Sequence, residues 1–320
     1  MPDMDQPTVD FICIGVQRAA TTWLAEYLRV RPQIWMPVRK ELHYFSRDPR
    51  YPSASFLACP SKWRALVGTK PEEREWRRQF AGYLYRIFAT QFQFRGLYGR
   101  VSWAVRYFLS FPKDDAWYRS LFREGKGCLK GEITPAYSLL EEPDIARMAA
   151  SYPETRIILL LRNPLDRALS QLSFYQDKGW LPADLPEEQM LSFLLGPEVM
   201  KRSDYLSMLS RWSRYFGPDR FFVGWYDDFV EDAEAFAQDI LRFIGLPAAD
   251  NPVRRRKNPD RRPNCSGRPP VPLSVRKALA AALRPGLLQL AEQYGGHTAA
   301  WLASCDSLLA HDADLELDSL

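Results

Sequence analysis

The sequence predicts an α/β fold, a parallel sheet flanked by helices, and two observations predict it. Short apolar runs at Val9–Gly15, Arg156–Leu161 and Arg220–Trp225 each read as a strand buried on both faces. A helical pattern follows each run, and strands that alternate with helices along a chain pair in parallel.

Taken in order, Val9–Gly15 ends on a glycine that marks a turn. Thr21 and Thr22 open the first helix, Trp23, Leu24, Tyr27 and Leu28 recur at helical spacing, and Pro32 stops it. After Arg156–Leu161, Asn163 and Pro164 supply a cap and a first-turn proline, and Leu165, Leu169, Leu172 and Tyr175 continue as one helix face. Arg220–Trp225 leads to a helix from Ala233 to Ile244 that closes on Gly245. Two segments break this rhythm. Residues 51–117, rich in Trp, Tyr, Phe and Arg, read as an inserted helical region. Residues 247–272, rich in Pro, Arg and Asn, read as a long ordered loop or binding flap. Neither has linker composition, so residues 1–320 are expected to form a single domain.

Composition narrows the function. The chain has 320 residues, 46% hydrophobic, 26% charged and 13% aromatic, the proportions of a folded globular protein. A net charge of +4 is too small an excess to argue for nucleic acid, but it suits an anionic ligand. No apolar run reaches the roughly 20 residues that span a bilayer. Met1–Asp10 lacks a basic and an apolar region, so a signal peptide is not expected and a cytoplasmic protein is. The 5 cysteines are widely spread without metal-ligand spacing, and there are only 3 histidines, so neither a disulfide framework nor a metal centre is expected.

Gly15-Val16-Gln17-Arg18-Ala19-Ala20-Thr21-Thr22-Trp23 lies at a strand–helix junction. A turn there aims backbone N–H groups and the positive end of the helix dipole at one point, a ready anion site. Arg18 adds a full charge and the two threonines add hydroxyl donors. A P-loop NTPase or kinase would carry Gly-Lys-Ser/Thr where this chain has Ala20-Thr21-Thr22, and an acid rather than Arg162 after the later strand. The loop therefore reads as built for an anion without a metal.

This segment resembles the 5′-phosphosulfate-binding loop of sulfotransferases that use 3′-phosphoadenosine 5′-phosphosulfate (PAPS). That loop reads roughly Gly-x-x-Lys-x-Gly-Thr-Thr-x-Leu. Arg18 stands at the family's Lys and Ala20 at its second Gly, and Ala20 is expected to keep the turn out of positive φ. Leu161-Arg162-Asn163-Pro164, with Ser170 eight positions after Arg162, is similar to the family's second hallmark, which implies that Arg162 and Ser170 grip the 3′-phosphate. Ser266, Gly267 and Arg268 resemble the late loop that closes over the nucleotide. The resemblance implies a P-loop-like fold, with Gln17, Arg18, Ala19, Ala20, Thr21 and Thr22 on the 5′ side of PAPS and no metal.

Lys40-Glu41-Leu42-His43-Tyr44-Phe45 resembles the Lys-Glu-x-His-Phe-Phe segment of glycosaminoglycan and bacterial sulfotransferases. The resemblance implies Glu41 as catalytic base, with Arg18 stabilising charge. Aryl-type members use His instead, which leaves His43 as the alternative. Gly131–Tyr137 looks like the family's Glu-Lys-Thr-Pro-Ala-Tyr segment near the acceptor, so Lys40, Glu41, His43, Thr134 and Tyr137 are expected on the acceptor side. Ile133 replaces the segment's Lys.

The expected reaction is sulfuryl transfer to a hydroxyl or amine, with a carbohydrate or glycolipid as the favoured acceptor and a small alcohol or phenol as the alternative. A nucleotide sensor without chemistry is a third reading. Trp76–Lys113 contains no Asp or Glu but several Arg among its aromatics. That pattern suits an anionic acceptor or peripheral contact with the inner membrane face.

Overall fold

The computed structural model describes residues 9–52, 57, 61–89, 97–247 and 270–310. Its framework is a five-stranded sheet in the order β2-β3-β1-β4-β5. The strands are β1 (Phe11–Gly15), β2 (Ile34–Trp35), β3 (Leu129–Ile133), β4 (Arg156–Leu161) and β5 (Phe221–Trp225). β3 pairs in parallel with both β1 and β2. The predicted strands are present as β1, β4 and β5. β2 and β3 carried no such signal: β2 has two residues, and Lys130, Gly131 and Glu132 interrupt the apolar run of β3.

The chain divides into two compact units, Met1–Ile14 with Thr22–Ile158, and Gly15–Thr21 with Leu159–Leu320. In the first, β1 is fully buried over Phe11–Ile14. α1 (Thr21–Arg29) starts and ends as its sequence pattern requires, and Pro32 lies beyond it. The segment expected to be an aromatic-rich helical insertion holds α2 (Lys62–Val67), α3 (Pro71–Ala89), α4 (Leu97–Ala104) and one π-helical turn, Val105–Leu109. α5 (Asp115–Ser120) and α6 (Glu142–Ser151) complete the unit.

Much of that aromatic content is core. Trp76, Tyr83, Trp103, Tyr107 and Phe108 are buried. Trp103 stacks on Tyr107 with centroids 4.9 Å apart, and Trp76 stacks on Phe80 at 5.1 Å. Such pairs contribute about 0.5–1.5 kcal/mol each beyond the area they bury. Several of the cations are matched locally: Arg106 pairs with Glu124, Arg78 with Glu75, and Lys113 donates to the Tyr107 carbonyl. Arg95 and the side chains of Arg86 and Arg100 lie outside the described residues.

The second unit carries α7 (Pro164–Asp177), α8 (Glu187–Leu194), α9 (Pro197–Lys201) and α10 (Tyr205–Ser213). After β5 come α11 (Tyr226–Glu231) and α12 (Ala233–Phe243), then α13 (Leu273–Tyr294) and α14 (Gly296–Ala310). Asn163 caps α7 by accepting the Leu165 N–H at 3.0 Å. Gly245, at φ 93°, ends α12 in a conformation that glycine adopts without strain. The expected flap falls largely on residues 248–269, outside those described. No helix among the described residues is long and apolar enough to cross a membrane.

One close approach fixes the register of the first unit. Gly131 lies opposite Phe11, and a Cβ at Gly131 would come within 2.1 Å of the Phe11 ring. Backbone and ring cannot both hold position if a methyl is added. Gly131→Ala is therefore expected to destabilise by about 1–3 kcal/mol, the usual cost of overpacking a core. Urea unfolding measures this, and an unchanged midpoint would contradict the packing.

Candidate active site

The loop that leaves β1 has left-handed backbone at Arg18 (φ 73°) and Ala20 (φ 56°). The expectation that Ala20 would keep the turn out of positive φ is therefore wrong. The loop must curl back within a few residues to start α1 at Thr21, and alternating backbone handedness is how a chain curls its N–H groups toward one point. Ala accepts the conformation at a cost that Gly would avoid.

In the second unit this loop meets both residues of the other hallmark. The Arg18 Nε donates to Ser170 Oγ at 3.0 Å, and Arg162 Nη1 donates to the Arg18 carbonyl at 3.1 Å. Arg162 therefore bonds the loop. Two aromatic faces brace the guanidiniums: Phe174 lies 4.8 Å from Arg18, and Tyr226 lies 4.5 Å from Arg162. The Tyr205 hydroxyl holds the Arg162 carbonyl at 2.7 Å. Burial and the neighbouring Arg162 both lower the Arg18 pKa, as expected where two cations share a partly desolvated site. The Arg162 Nε is buried with no hydrogen-bond partner among the described residues. An unsatisfied charged donor beside a second cation favours an anion.

Sequence reasoning missed Phe174, Tyr226 and Tyr205 as parts of this cluster. Phe174 was findable, since it follows Ser170 by four positions and so shares its helix face. Tyr226 follows β5 directly, at the carboxyl end of a strand where such folds bind ligands. Ser266, Gly267 and Arg268 lie outside the described residues.

In the first unit, Thr22, Lys40, Glu41 and His43 form a second cluster. Lys40 Nζ donates to Thr22 Oγ1 at 3.0 Å and lies 3.7 Å from Glu41 Oε1. His43 Nε2 is 3.4 Å from Glu41 Oε2, and its Nδ1 is 3.2 Å from Ser46 Oγ. Desolvation works to raise the Glu41 pKa, but the bond to His43 and the charges of Lys40 and Arg39 outweigh it, so the carboxyl is held below its usual range. It is ionised at neutral pH. Burial lowers the Lys40 pKa, against the pull of Glu41. The Glu41 side chain is 34% exposed and that of His43 11%, so Glu41 is the more accessible of the two candidate bases. Both have left-handed backbone, Glu41 at φ 67° and His43 at φ 58°.

Thr134 and Tyr137, expected to touch the acceptor, are placed differently. Both are fully buried, and their hydroxyls accept backbone N–H groups, Leu42 at 2.9 Å for Thr134 and Tyr44 at 2.8 Å for Tyr137. A side chain without accessible surface does not meet an acceptor directly in this conformation. Beneath them, Glu132 is 1% exposed, and burial pushes its pKa up to about 7 against the hydrogen bonds of its neighbours. Among the described residues no group of three or more His, Cys, Asp or Glu is placed to hold a metal ion.

Among the described residues, the non-glycine positions with left-handed backbone are Arg18, Ala20, Glu41 and His43, and all four lie in the two motifs singled out from sequence. Strained backbone of this kind concentrates at ligand-binding and catalytic sites.

Known proteins resemble this chain in sequence and in fold. Mouse and human heparan sulfate glucosamine 3-O-sulfotransferase 6 are each 29% identical over 196 residues, covering 53% of this chain and 56% of theirs. Human heparan sulfate glucosamine 3-O-sulfotransferase 3B1 is 25% identical over 219 residues, covering 60% of this chain and 55% of its own. The chain thus spans just over half the length of the curated relatives it matches. Two solved structures share the fold. One is a sulfotransferase from Alicyclobacillus acidocaldarius, with TM-score 0.58 and 20% identity, covering 91% of this chain and 98% of that one. The other is the sulfotransferase domain of the Synechococcus PCC 7002 olefin synthase, with TM-score 0.52 and 18% identity, covering 92% and 97%. The model of the sulfotransferase family matches residues 10–250, most of the length of this chain, which therefore belongs to that family.

Proposed function

We propose that this protein transfers a sulfuryl group from PAPS to an acceptor hydroxyl or amine, with a carbohydrate as the acceptor class. The observation that carries the reading is the cluster of Arg18, Arg162 and Ser170, two cations and a hydroxyl linked by hydrogen bonds through Arg18 on the loop after β1. In this reading Arg162 and Ser170 take the 3′-phosphate. Arg18, Thr21, Thr22 and the N–H groups of Gln17, Ala19 and Ala20 take the 5′-phosphosulfate. Glu41 accepts the acceptor proton as the acceptor oxygen or nitrogen attacks sulfur, and the bond from sulfur to the bridging oxygen breaks. Arg18 neutralises charge growing on that oxygen, and adenosine 3′,5′-bisphosphate (PAP) leaves. Preorganised donors aimed at developing charge are usually the largest source of rate enhancement.

A carbohydrate acceptor is supported by the curated relatives, which are named for heparan sulfate. The aromatic-rich helices also offer rings that suit a sugar. Arg39 Nη1 donates to Gln79 of α3 at 3.1 Å, which ties the Lys40–His43 segment to the aromatic-rich helices. Those helices expose Trp63 at 72% and Tyr85 at 74%, and aromatic faces stack on sugar rings.

Transfer from [35S]PAPS to a panel of heparan sulfate, a glycolipid and a simple phenol tests the activity. Label should enter the carbohydrate. Label in the phenol alone would replace the acceptor class, and label in none would contradict the function.

Two substitutions test the roles. Arg162→Ala should weaken PAP by about 1.5–3 kcal/mol, typical of a hydrogen bond to a charged group, while adenosine 5′-phosphosulfate, which lacks the 3′-phosphate, loses little. Equal losses would remove Arg162 from the 3′-phosphate. Glu41→Gln should leave PAP affinity intact and lower turnover by about 10²–10⁴-fold, the usual contribution of a general base. Turnover that survives Glu41→Gln but not His43→Ala would transfer the role to His43.

A further inference from the structure

Besides its side-chain contacts, the segment that carries Glu41 and His43 is held through its backbone, and two of the groups that hold it converge on one buried carboxyl. Glu41 N–H donates to the Ile133 carbonyl at 3.0 Å. Leu42 N–H donates to Thr134 Oγ1 at 2.9 Å, and the Leu42 carbonyl accepts the Tyr107 hydroxyl at 3.2 Å. Tyr44 N–H donates to the Tyr137 hydroxyl at 2.8 Å. The two hydroxyl acceptors have their own protons to place, and both place them on Glu132: Thr134 at 2.7 Å on Oε2 and Tyr137 at 3.2 Å on Oε1. The Tyr118 hydroxyl also donates to Oε1.

The direction of this relay follows from proton counting. A backbone N–H can only donate, so the hydroxyl that accepts it turns a lone pair toward Leu42 or Tyr44. Its single proton is then free to point at an acceptor, and the Glu132 oxygens are placed to receive it, Oε2 from Thr134 and Oε1 from Tyr137. Glu132 thus fixes which way both hydroxyls face, and they fix the N–H groups on either side of His43. The pinning matters because Glu41 and His43 hold left-handed backbone, a conformation costing on the order of 1–3 kcal/mol that persists only where surroundings impose it. Without oriented acceptors at Leu42 and Tyr44, the segment would relax and move the Glu41 carboxylate.

We infer that Glu132 is a positioning residue for the reaction, acting through Thr134 and Tyr137 on the backbone that presents Glu41. The inference rests on the reading of Glu41 as the base. Glu132 itself is buried and touches neither donor nor acceptor in this role.

The test uses the full chain, with [35S]PAPS and whichever acceptor of the panel takes most label. Glu132→Gln keeps the shape of the side chain but replaces one acceptor oxygen with a donor. It should lower kcat about tenfold to a hundredfold, the cost of displacing a catalytic group by a fraction of an ångström to an ångström. KM for PAPS and Kd for PAP should stay within about twofold. Hydrogen exchange at the Leu42 and Tyr44 amides should accelerate. Thr134→Val should reproduce the loss and Thr134→Ser should restore activity, a rescue that a change in packing alone would not give. Should Glu132→Gln fail to fold, Thr134→Val, Thr134→Ser and Tyr137→Phe carry the same readouts. Unchanged kcat and unchanged exchange, with Glu41→Gln inactive, would overturn the inference and leave the function standing. A fully active Glu41→Gln would overturn the reading of Glu41 and the inference with it.

Discussion

Left-handed backbone at residues with a Cβ is the constraint on which the two site segments depend. Each such residue stores energy that a relaxed chain would release, so it survives only where hydrogen bonds on both sides leave no alternative. At Arg18 and Ala20 the alternative is removed by the join between β1 and α1, and by Arg162, which fixes the Arg18 carbonyl. At Glu41 and His43 it is removed by the end of β3 and the turn after it, through Ile133, Thr134 and Tyr137. The sheet is therefore more than a scaffold: the carboxyl ends of its strands hold these two segments in conformations they would not adopt alone.

The electrostatics of the two clusters differ in kind. Around Arg18 and Arg162, hydroxyls and aromatic faces dominate, and neither face nor hydroxyl cancels a positive charge. The Asp177 charge offsets only part of the depression that burial and Arg162 impose on Arg18. Such a site gains most from a multiply charged anion. Around Glu41, cation and carboxylate are already paired: Lys40 and His43 flank the carboxyl and keep it ionised. A group held ionised but a third exposed can take a proton from a bound acceptor without first losing one to water.

The parts of this arrangement that sequence revealed were those encoded locally. A strand, a turn and a helix start leave marks within a few residues of each other, so β1 with α1, β4 with α7 and the Asn163 cap were all legible. Arg18, Arg162 and Ser170 could be singled out separately, and the fold brings them into hydrogen-bond contact. The rest depended on distant partners. Gly131 and Glu132 show no strand pattern until β1 and β2 are paired on either side of β3. Glu132 shows its importance only when Tyr118, Thr134 and Tyr137 surround it. Ala20 misled because a Cβ argues against positive φ in isolation, and here the closure of the loop overrides that preference. The aromatic run of the insertion mixed core rings such as Trp103 with exposed ones such as Tyr85, a division that composition does not report.

The central claim is that the Arg18, Arg162 and Ser170 cluster recognises a nucleotide carrying a 3′-phosphate. Isothermal titration of PAP into the protein in EDTA tests it most directly, with ATP in Mg²⁺ titrated in parallel. The account predicts one PAP bound per chain without divalent metal, and far weaker binding of ATP. Binding of ATP that requires Mg²⁺, with no heat from PAP, would contradict it.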